Sequence, residues 1–248
     1  SRLKARNIFK TVEYKLSDGS SKDLKVMEIK VEEKPTGEIA AGAGVGTEGT
    51  SFSFLIKENN YLGKGLGLDA SLNVSESSIR GGLSMQQPNF RNSGNLVWGG
   101  LTNVKTDRPN SGYENTLTTF DLGTKFEHLT DLYISPSINL TFDDLRVTDN
   151  ASSSMKKQAG NFTELIFSYG IEKDNRDRPF MPTSGSIVSF NQGLPLYSNQ
   201  ASIYNSIYYT KYHLFTENVI GALKFYGANV IAVEDDVRLS KRLHIPSR

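Results

Sequence analysis

The chain has 248 residues, enough for one large domain or two ordinary ones, and it contains no cysteine, which excludes disulfides and thiolate metal sites. Its formal net charge of +1 gives no overall field that would favour nucleic acid. No stretch approaches the ~20 apolar residues of a membrane-spanning helix. The low mean hydropathy is still compatible with a membrane β-barrel, in which half of each strand is polar.

The first 35 residues are rich in charge and predict two strands before a boundary. Val12–Leu16 and Leu24–Glu33 have strand character, and Ser17–Ser20 between them has the composition of a turn. Residues 34–37 (Lys-Pro-Thr-Gly) then interrupt any strand ladder, because proline has no N–H to donate. We therefore place a domain boundary after residue 35.

From Gly37 to Val233 the sequence repeats one form, a segment of roughly ten residues that alternates apolar and polar side chains and ends in turn residues. In Tyr133–Asp143, every second residue from Ile134 to Phe142 is apolar and those between are polar. Eleven such strands are predicted, at residues 37–46, 50–59, 64–74, 78–88, 95–105, 113–127, 132–145, 161–173, 185–194, 200–214 and 218–233.

Most of these strands have one face suited to lipid and one suited to water. The apolar faces include Phe52, Phe54 and Ile56; Leu66, Leu68, Ala70, Leu72 and Val74; Thr118, Phe120, Leu122, Thr124 and Phe126; and Leu165, Phe167, Tyr169 and Ile171. The opposite faces carry charges that we expect in a watery lumen: Lys57, Asp69, Asp121, Lys125, Asp143, Glu164 and Glu172. Aromatic residues near predicted strand ends favour interfacial girdles: Tyr133, Tyr197, Tyr204, Tyr208, Tyr209, Tyr212 and Phe215.

The predicted fold class is therefore all-β, a partial transmembrane antiparallel β-barrel. A soluble β-sandwich is the alternative, but several segments are longer than the usual 5–6 residues of globular strands. Bacterial single-chain barrels have an even number of strands, and an open edge is not viable in hydrocarbon. We thus expect strands one to eleven of a larger barrel, in a chain that is a fragment at both ends.

Three stretches are more specific than the alternation. They are residues 58–65 (Glu-Asn-Asn-Tyr-Leu-Gly-Lys-Gly); residues 174–185, with Asp-Asn-Arg-Asp at the start and Pro-Thr-Ser-Gly at the end; and residues 5–12 together with 31–37. By their order and spacing, the chain resembles the BamA-like outer-membrane protein assembly factors, which combine periplasmic POTRA domains with a β-barrel. The overall texture is most similar to alphaproteobacterial members.

The resemblance implies a topology in the outer membrane of a Gram-negative bacterium. Residues 1–35 would be the C-terminal end of the last POTRA domain, in the periplasm, and residues 36–248 the N-terminal portion of the barrel, ending in the sixth extracellular loop. Periplasmic turns would lie at 59–64, 88–95, 127–132, 173–185 and 214–218, and extracellular loops at 46–50, 74–78, 105–113, 145–161 and 194–200. The family's Arg-Gly-Phe loop tip is not present, so its lumen anchor is assigned to no residue.

The first barrel strand is rich in glycine and alanine, and this has two explanations. Its inward residues Ala40, Gly42, Gly44 and Gly46 pack little, so a weakly held edge strand could template another strand. Alternatively, glycine relieves crowding where the barrel narrows. The resemblance favours templating, because in this family the first and last strands form a lateral seam. The predicted client-pairing residues are Glu38, Ile39, Ala40, Ala41, Gly42, Ala43, Gly44, Val45 and Gly46.

The resemblance thus implies an insertase without enzymatic activity. Its partners would be unfolded outer-membrane protein clients, accessory lipoproteins bound through POTRA domains, and outer-membrane lipids, with no nucleic acid. Passive porin or transporter barrels, a polypeptide-translocating pore and a soluble binding protein are the alternatives.

The remaining polar motifs predict structure rather than catalysis. We expect Asp174, Arg176 and Asp177 to form a charge-paired turn that Pro182, Thr183 and Gly185 close. The histidines are far apart in sequence, at positions 128, 213 and 244, and the acidic runs at 143–144 and 234–236 lack the ligand spacing of a calcium loop. We predict no catalytic residue, metal or cofactor.

Overall fold

A computed structural model describes residues 9–21, 23–46, 49–217, 219–233, 236–238 and 241–243. The strands are β1 (Phe9–Asp18), β2 (Lys25–Glu33), β3 (Gly37–Gly46), β4 (Gly49–Tyr61), β5 (Leu66–Ser75), β6 (Ser78–Pro88), β7 (Leu96–Arg108), β8 (Tyr113–Leu129), β9 (Leu132–Val147), β10 (Gly160–Asp174), β11 (Gly185–Ser198), β12 (Ser202–Thr216) and β13 (Val219–Ala232). One short helix, α1 (Ser153–Lys157), joins β9 to β10.

The strands form two sheets. β1 and β2 pair as an antiparallel hairpin, with Val12 opposite Val31. Strands β3 to β13 form an eleven-stranded antiparallel sheet in chain order, with β3 at one edge and β13 at the other. The eleven predicted strands are therefore confirmed, and β3 and β6 have the predicted bounds. We call the rim where β3 begins the near rim and the opposite one the far rim.

The hairpin β1–β2 leaves large apolar side chains exposed on one of its faces, where Tyr14 lies opposite Ile29 and Leu16 opposite Met27. A two-stranded hairpin is marginally stable in water by itself. Within the described residues, the apolar side chains of the hairpin thus remain exposed.

The cross-strand register sorts the side chains of the large sheet into two faces. On the apolar face, Leu122 lies opposite Ile138 and Phe120 opposite Leu140. On the polar face, Asp121 lies opposite Asn139. Alternation along each strand produces this separation, because successive side chains point to opposite sides of a sheet.

The apolar face is mostly uncovered, and the hydrophobic core is correspondingly small. Leu122 is 59% exposed, and the buried hydrophobic residues of the described chain are Leu145 and Ala151. A soluble domain rarely exposes so extensive an apolar surface, whereas a membrane barrel places it against lipid. None of the described helices is long and apolar enough to cross a membrane.

The register corrects part of the predicted aromatic girdle. Four of the tyrosines lie on the polar face, namely Tyr133, Tyr204, Tyr208 and Tyr212. There the Tyr204 hydroxyl lies 3.3 Å from that of Tyr226, and Lys125 Nζ lies 4.9 Å from the centroid of the Tyr133 ring. Because all four side chains lie on the polar face, they do not form part of a girdle on the apolar face.

Candidate functional site

The first feature of interest is the free edge of β3. Among the described strands β3 pairs with β4 alone, from Gly37 opposite Glu58 to Gly46 opposite Gly49. An edge strand presents a row of backbone N–H and C=O groups to any strand that approaches it. All nine residues from Glu38 to Gly46 lie on this strand.

The side chains of β3 contribute little packing. Every residue of the strand is exposed, with Ile39 at 72% and Val45 at 87%. A Cβ added at Gly42 would lie 2.9 Å from Ser53 Oγ, whereas one added at Gly46 would meet nothing within 4 Å. Of these two glycines, only Gly42 has a neighbouring side chain that an added Cβ would crowd. The strand is therefore held mainly by its backbone hydrogen bonds to β4.

Side chains hold the start of β3 at the near rim. The Glu58 carboxylate accepts hydrogen bonds from the Thr36 hydroxyl and, at 2.7 Å, from the Asn60 N–H. The side-chain Nδ2 of Asn59 donates to the Thr36 carbonyl oxygen at 3.1 Å. These contacts tie the junction between the hairpin and the large sheet to β4, the neighbour of β3.

The second feature is a segment after β13 that returns onto the polar face. Arg238 Nη2 lies 2.8 Å from Asp143 Oδ2, and the two side chains are 4% and 6% exposed. The Arg238 guanidinium also stacks on Phe162, with its central carbon 3.2 Å from the ring centroid. The planar guanidinium thus pairs with a carboxylate and covers an aromatic ring at once.

A second ion pair anchors the same segment. Lys241 pairs with Glu164 and also donates to Ser202 Oγ at 3.2 Å. Asp143 and Glu164 were predicted to be solvated by lumen water, and this was wrong, because the returning segment buries both carboxylates. Sequence reasoning missed this anchor. The available signal was the pair of basic residues Arg238 and Lys241 after the last strand, which could have been matched to the acids Asp143 and Glu164 of the polar face.

The third feature is the near-rim connection from β10 to β11. Arg176 donates to both carboxylate oxygens of Asp174, from Nε at 2.8 Å and from Nη2 at 2.7 Å. Asp177 accepts from the Thr183 hydroxyl at 2.7 Å and from the backbone N–H of Thr183 and Ser184. The Thr183 hydroxyl, more than these backbone bonds, lowers the pKa of Asp177 to about 2.

Gly185 ends this connection in a conformation that only glycine adopts readily. Its φ is +90°, and an added Cβ would overlap the carbonyl oxygen of Asn175. Pro182 lies in the same connection, outside both strands. The turn residues named from sequence are thus brought together at the near rim, away from the β3 edge in sheet order.

The described residues offer no obvious catalytic chemistry. They hold no group of three or more His, Asp or Glu side chains that could bind a metal ion. His128 lies on β8 and His213 on β12, while His244 and the acids at 234 and 235 lie outside the described residues. What the arrangement offers is backbone pairing at β3 and a segment locked onto the polar face.

Comparison with known proteins relates this architecture to one family. The Omp85 superfamily domain matches residues 60–242. The fold is similar to the crystal structure of BamA from Haemophilus ducreyi lacking POTRA domains 1–3, with a TM-score of 0.73, 20% sequence identity, and 94% of this chain and 48% of that chain covered.

A second similar structure is CdiB from Escherichia coli, with a TM-score of 0.59, 16% identity, and 91% of this chain and 46% of that chain covered. The chain thus spans about half the length of the solved structures it matches. At these identities the likeness concerns the fold, and it confirms the predicted all-β, partial-barrel fold class.

Proposed function

Because the chain belongs to the Omp85 superfamily of outer-membrane β-barrel proteins, we propose that it forms the N-terminal wall of an insertase that folds client barrels into the outer membrane. The client's terminal strand would pair with the free edge of β3, at the residues from Glu38 to Gly46. No bond is made or broken in the client's backbone, so the activity is not enzymatic.

The observation that carries this proposal is the weak side-chain packing of β3, whose residues are all exposed and whose ladder to β4 is its pairing within the described sheet. In hydrocarbon, each unsatisfied N–H or C=O group costs several kcal/mol, so a client strand cannot enter the bilayer alone. Pairing with β3 would satisfy one side of that strand while the next client strand forms. Small side chains at Ala41, Gly42 and Ala43 leave room for varied client side chains on both faces.

The topology we propose follows from the same family. The near rim would face the periplasm, with β1–β2 completing a POTRA domain through which accessory lipoproteins bind. The far rim would carry the extracellular loops, and the segment anchored by Arg238 would be the sixth of them. The exposed apolar side chains of β1–β2 support this arrangement, since a fuller POTRA sheet and its helices would cover them.

A pore that passes an extended polypeptide through its lumen is the second candidate, and the similarity to CdiB favours it. The buried pairs of Arg238 and Lys241 count against a wide resting lumen, because they fix the returning segment on the polar face. Templating depends on the backbone of β3, whereas threading does not, and this difference separates the two functions.

A proline scan of β3 in the full-length protein tests the proposal. Residues of an antiparallel edge strand direct their N–H groups alternately to the neighbouring strand and to the free edge. Ala41 and Ala43 therefore belong to one set, and Ala40 and Gly42 to the other. Proline removes the N–H donor. Proline in the set whose N–H groups point to β4 should weaken the β3–β4 ladder, and proline in the set whose N–H groups point to the free edge should weaken client pairing alone.

We expect the edge-facing set to leave a folded barrel, judged by its heat-dependent electrophoretic mobility, while insertion of a client barrel into liposomes stops. The ladder-facing set is the matched control, because it reports the cost to the barrel itself. Normal client insertion by folded proline variants of both sets would refute strand templating and leave the threading pore as the better assignment.

A further inference from the structure

A row of polar side chains crosses the apolar face of β10 to β13. The Tyr169 hydroxyl donates to Gln192 Oε1 at 2.8 Å, Gln192 Nε2 donates to Asn205 Oδ1 at 2.6 Å, and Asn205 Nδ2 donates to Asn229 Oδ1 at 3.0 Å. The four residues are direct cross-strand neighbours, one on each strand. We call them the amide row.

The amide row lies on the side that faces lipid. Tyr169 is an odd number of positions from Glu164 and from Glu172, so its side chain points to the face opposite those two acids, which lie on the polar face. The residues next to Tyr169 on its own face, Phe167 and Ile171, are apolar. The rows on either side of it are apolar as well, with Phe190 opposite Ile207 on one side and Ile203 opposite Ile231 on the other. A polar stripe is thus enclosed by hydrophobic side chains.

The internal hydrogen bonds of the amide row use part of its capacity. A primary amide has two N–H donors, and each of the bonds from Gln192 and Asn205 uses one of them. The second N–H of each of these two amides takes no part in the row's own bonds. Lipid tails offer no acceptor, and polar groups in the hydrocarbon are costly unless they find a partner.

We infer that the amide row is a contact between two copies of this protein within the outer membrane. Asparagine and glutamine amides carry donors and an acceptor together, so a row of them can pair with its own copy across a two-fold axis. A patch that presented donors alone would need a different partner. Hydrogen bonds between polar side chains also favour association within lipid, where apolar contact by itself gives no driving force.

The position of the amide row keeps this contact separate from the proposed client site. The row occupies β10 to β13, at the opposite end of the sheet order from β3. The inference therefore does not rest on the insertase proposal, and two associated copies would both keep their β3 edges free.

Single cysteines test the contact in outer membranes that contain the full-length protein. The 248 residues have no cysteine, so Ile207→Cys places a unique thiol within them, beside the row and on the same face. Leu122→Cys is the matched control, since Leu122 lies on the apolar face of β8 and is 59% exposed, against 40% for Ile207. A short bis-maleimide should link Ile207→Cys into a species of twice the monomer mass and leave Leu122→Cys monomeric.

Substitutions within the row then test its role. Asn205→Leu in the Ile207→Cys background should lower the dimer yield roughly tenfold, since a symmetric contact loses the bonds of both copies. Asn229→Leu, at the end of the row, serves the same purpose if Asn205→Leu prevents folding, which heat-dependent mobility would reveal. Equal yields at the two cysteines, a cross-link to a protein of another mass, or a yield that ignores both leucine substitutions would overturn the inference.

Discussion

Arg238 and Asp143 are 95 positions apart in sequence, yet their side chains form a buried ion pair with Nη2 and Oδ2 2.8 Å apart. The pair joins the segment after β13 to β9, across the polar face of the sheet. It holds the returning segment on the polar face through two buried side chains of opposite charge.

Loss of one partner should be far more costly than loss of both. Arg238→Met removes the cation from a buried carboxylate that keeps the side-chain amide of Asn115 as a donor, and we expect it to lower the free energy of unfolding by about 3–5 kcal/mol. The double variant Arg238→Met with Asp143→Leu should recover much of this loss. Urea unfolding of the refolded barrel gives both values, and Glu114→Gln, which breaks the more exposed Lys105–Glu114 pair, should change stability by about 1 kcal/mol or less. Additive single effects would show that the two side chains do not act as a pair.

The near-rim turn should respond to acid through Asp177. Its pKa is lowered to about 2, first by the hydrogen bond from the Thr183 hydroxyl, whereas an aspartate in an unfolded chain titrates near about 3.9. A lowered folded-state pKa means that its contribution to stability is complete above about pH 4 and is lost as the pH falls through about 2.

We therefore expect protease cleavage of the 174–185 connection to increase as the pH falls below about 4, using an acid-active protease. Asp177→Asn should remove this pH dependence, and Thr183→Val should move the midpoint of the Asp177 titration upward. A midpoint near 4 in the unaltered protein would contradict the assigned hydrogen bonds.

Gly185 and Gly63 provide a matched pair for backbone strain. Both have positive φ, +90° and +69°, but an added Cβ at Gly185 would overlap the Asn175 carbonyl, whereas one at Gly63 would meet nothing within 4 Å. We expect Gly63→Ala to cost about 1–2 kcal/mol, and Gly185→Ala to cost about 2–5 kcal/mol because steric overlap is added. Equilibrium unfolding in urea measures both, and equal losses would mean that the turn relaxes around the new methyl group.

The sequence predicted what depends on local periodicity and could not predict what depends on distant pairing. Alternation from Ile134 to Phe142 revealed both faces of β9, because a period of two is a property of any half-buried strand. Three tyrosines of β12, Tyr204, Tyr208 and Tyr212, were misassigned because residue type was weighed above register. The α1 helix was missed, and its five residues are too few for a helical period.

The Arg238–Asp143 pair and the amide row were also missed, for a related reason. Each joins residues whose proximity follows from the register of several strands, which no local pattern specifies. The motif at 174–185 was found because its glycine, proline and charges are close in sequence. The pairing role of β3 stays a prediction, since its chemistry is that of an edge and needs a client strand to reveal it.

Trp98 offers a spectroscopic test of packing on the polar face. It lies opposite Gly123 on the neighbouring strand, and it is the single tryptophan of the 248 residues. A Cβ at Gly123 would overlap the Trp98 ring, so Gly123→Ala must displace the indole, and the Cβ of Ser137 at 2.9 Å limits movement of the new methyl group itself. We expect the emission of Trp98 to shift to longer wavelength and its quenching by iodide to rise, because the displaced ring meets lumen water.

Gly81→Ala is the control, since a Cβ there meets nothing within 4 Å, and Trp98→Phe supplies the blank that isolates this residue's signal. An unchanged Trp98 spectrum in Gly123→Ala would show that the two strands separate to admit the methyl group, and a loss of barrel stability should then accompany it.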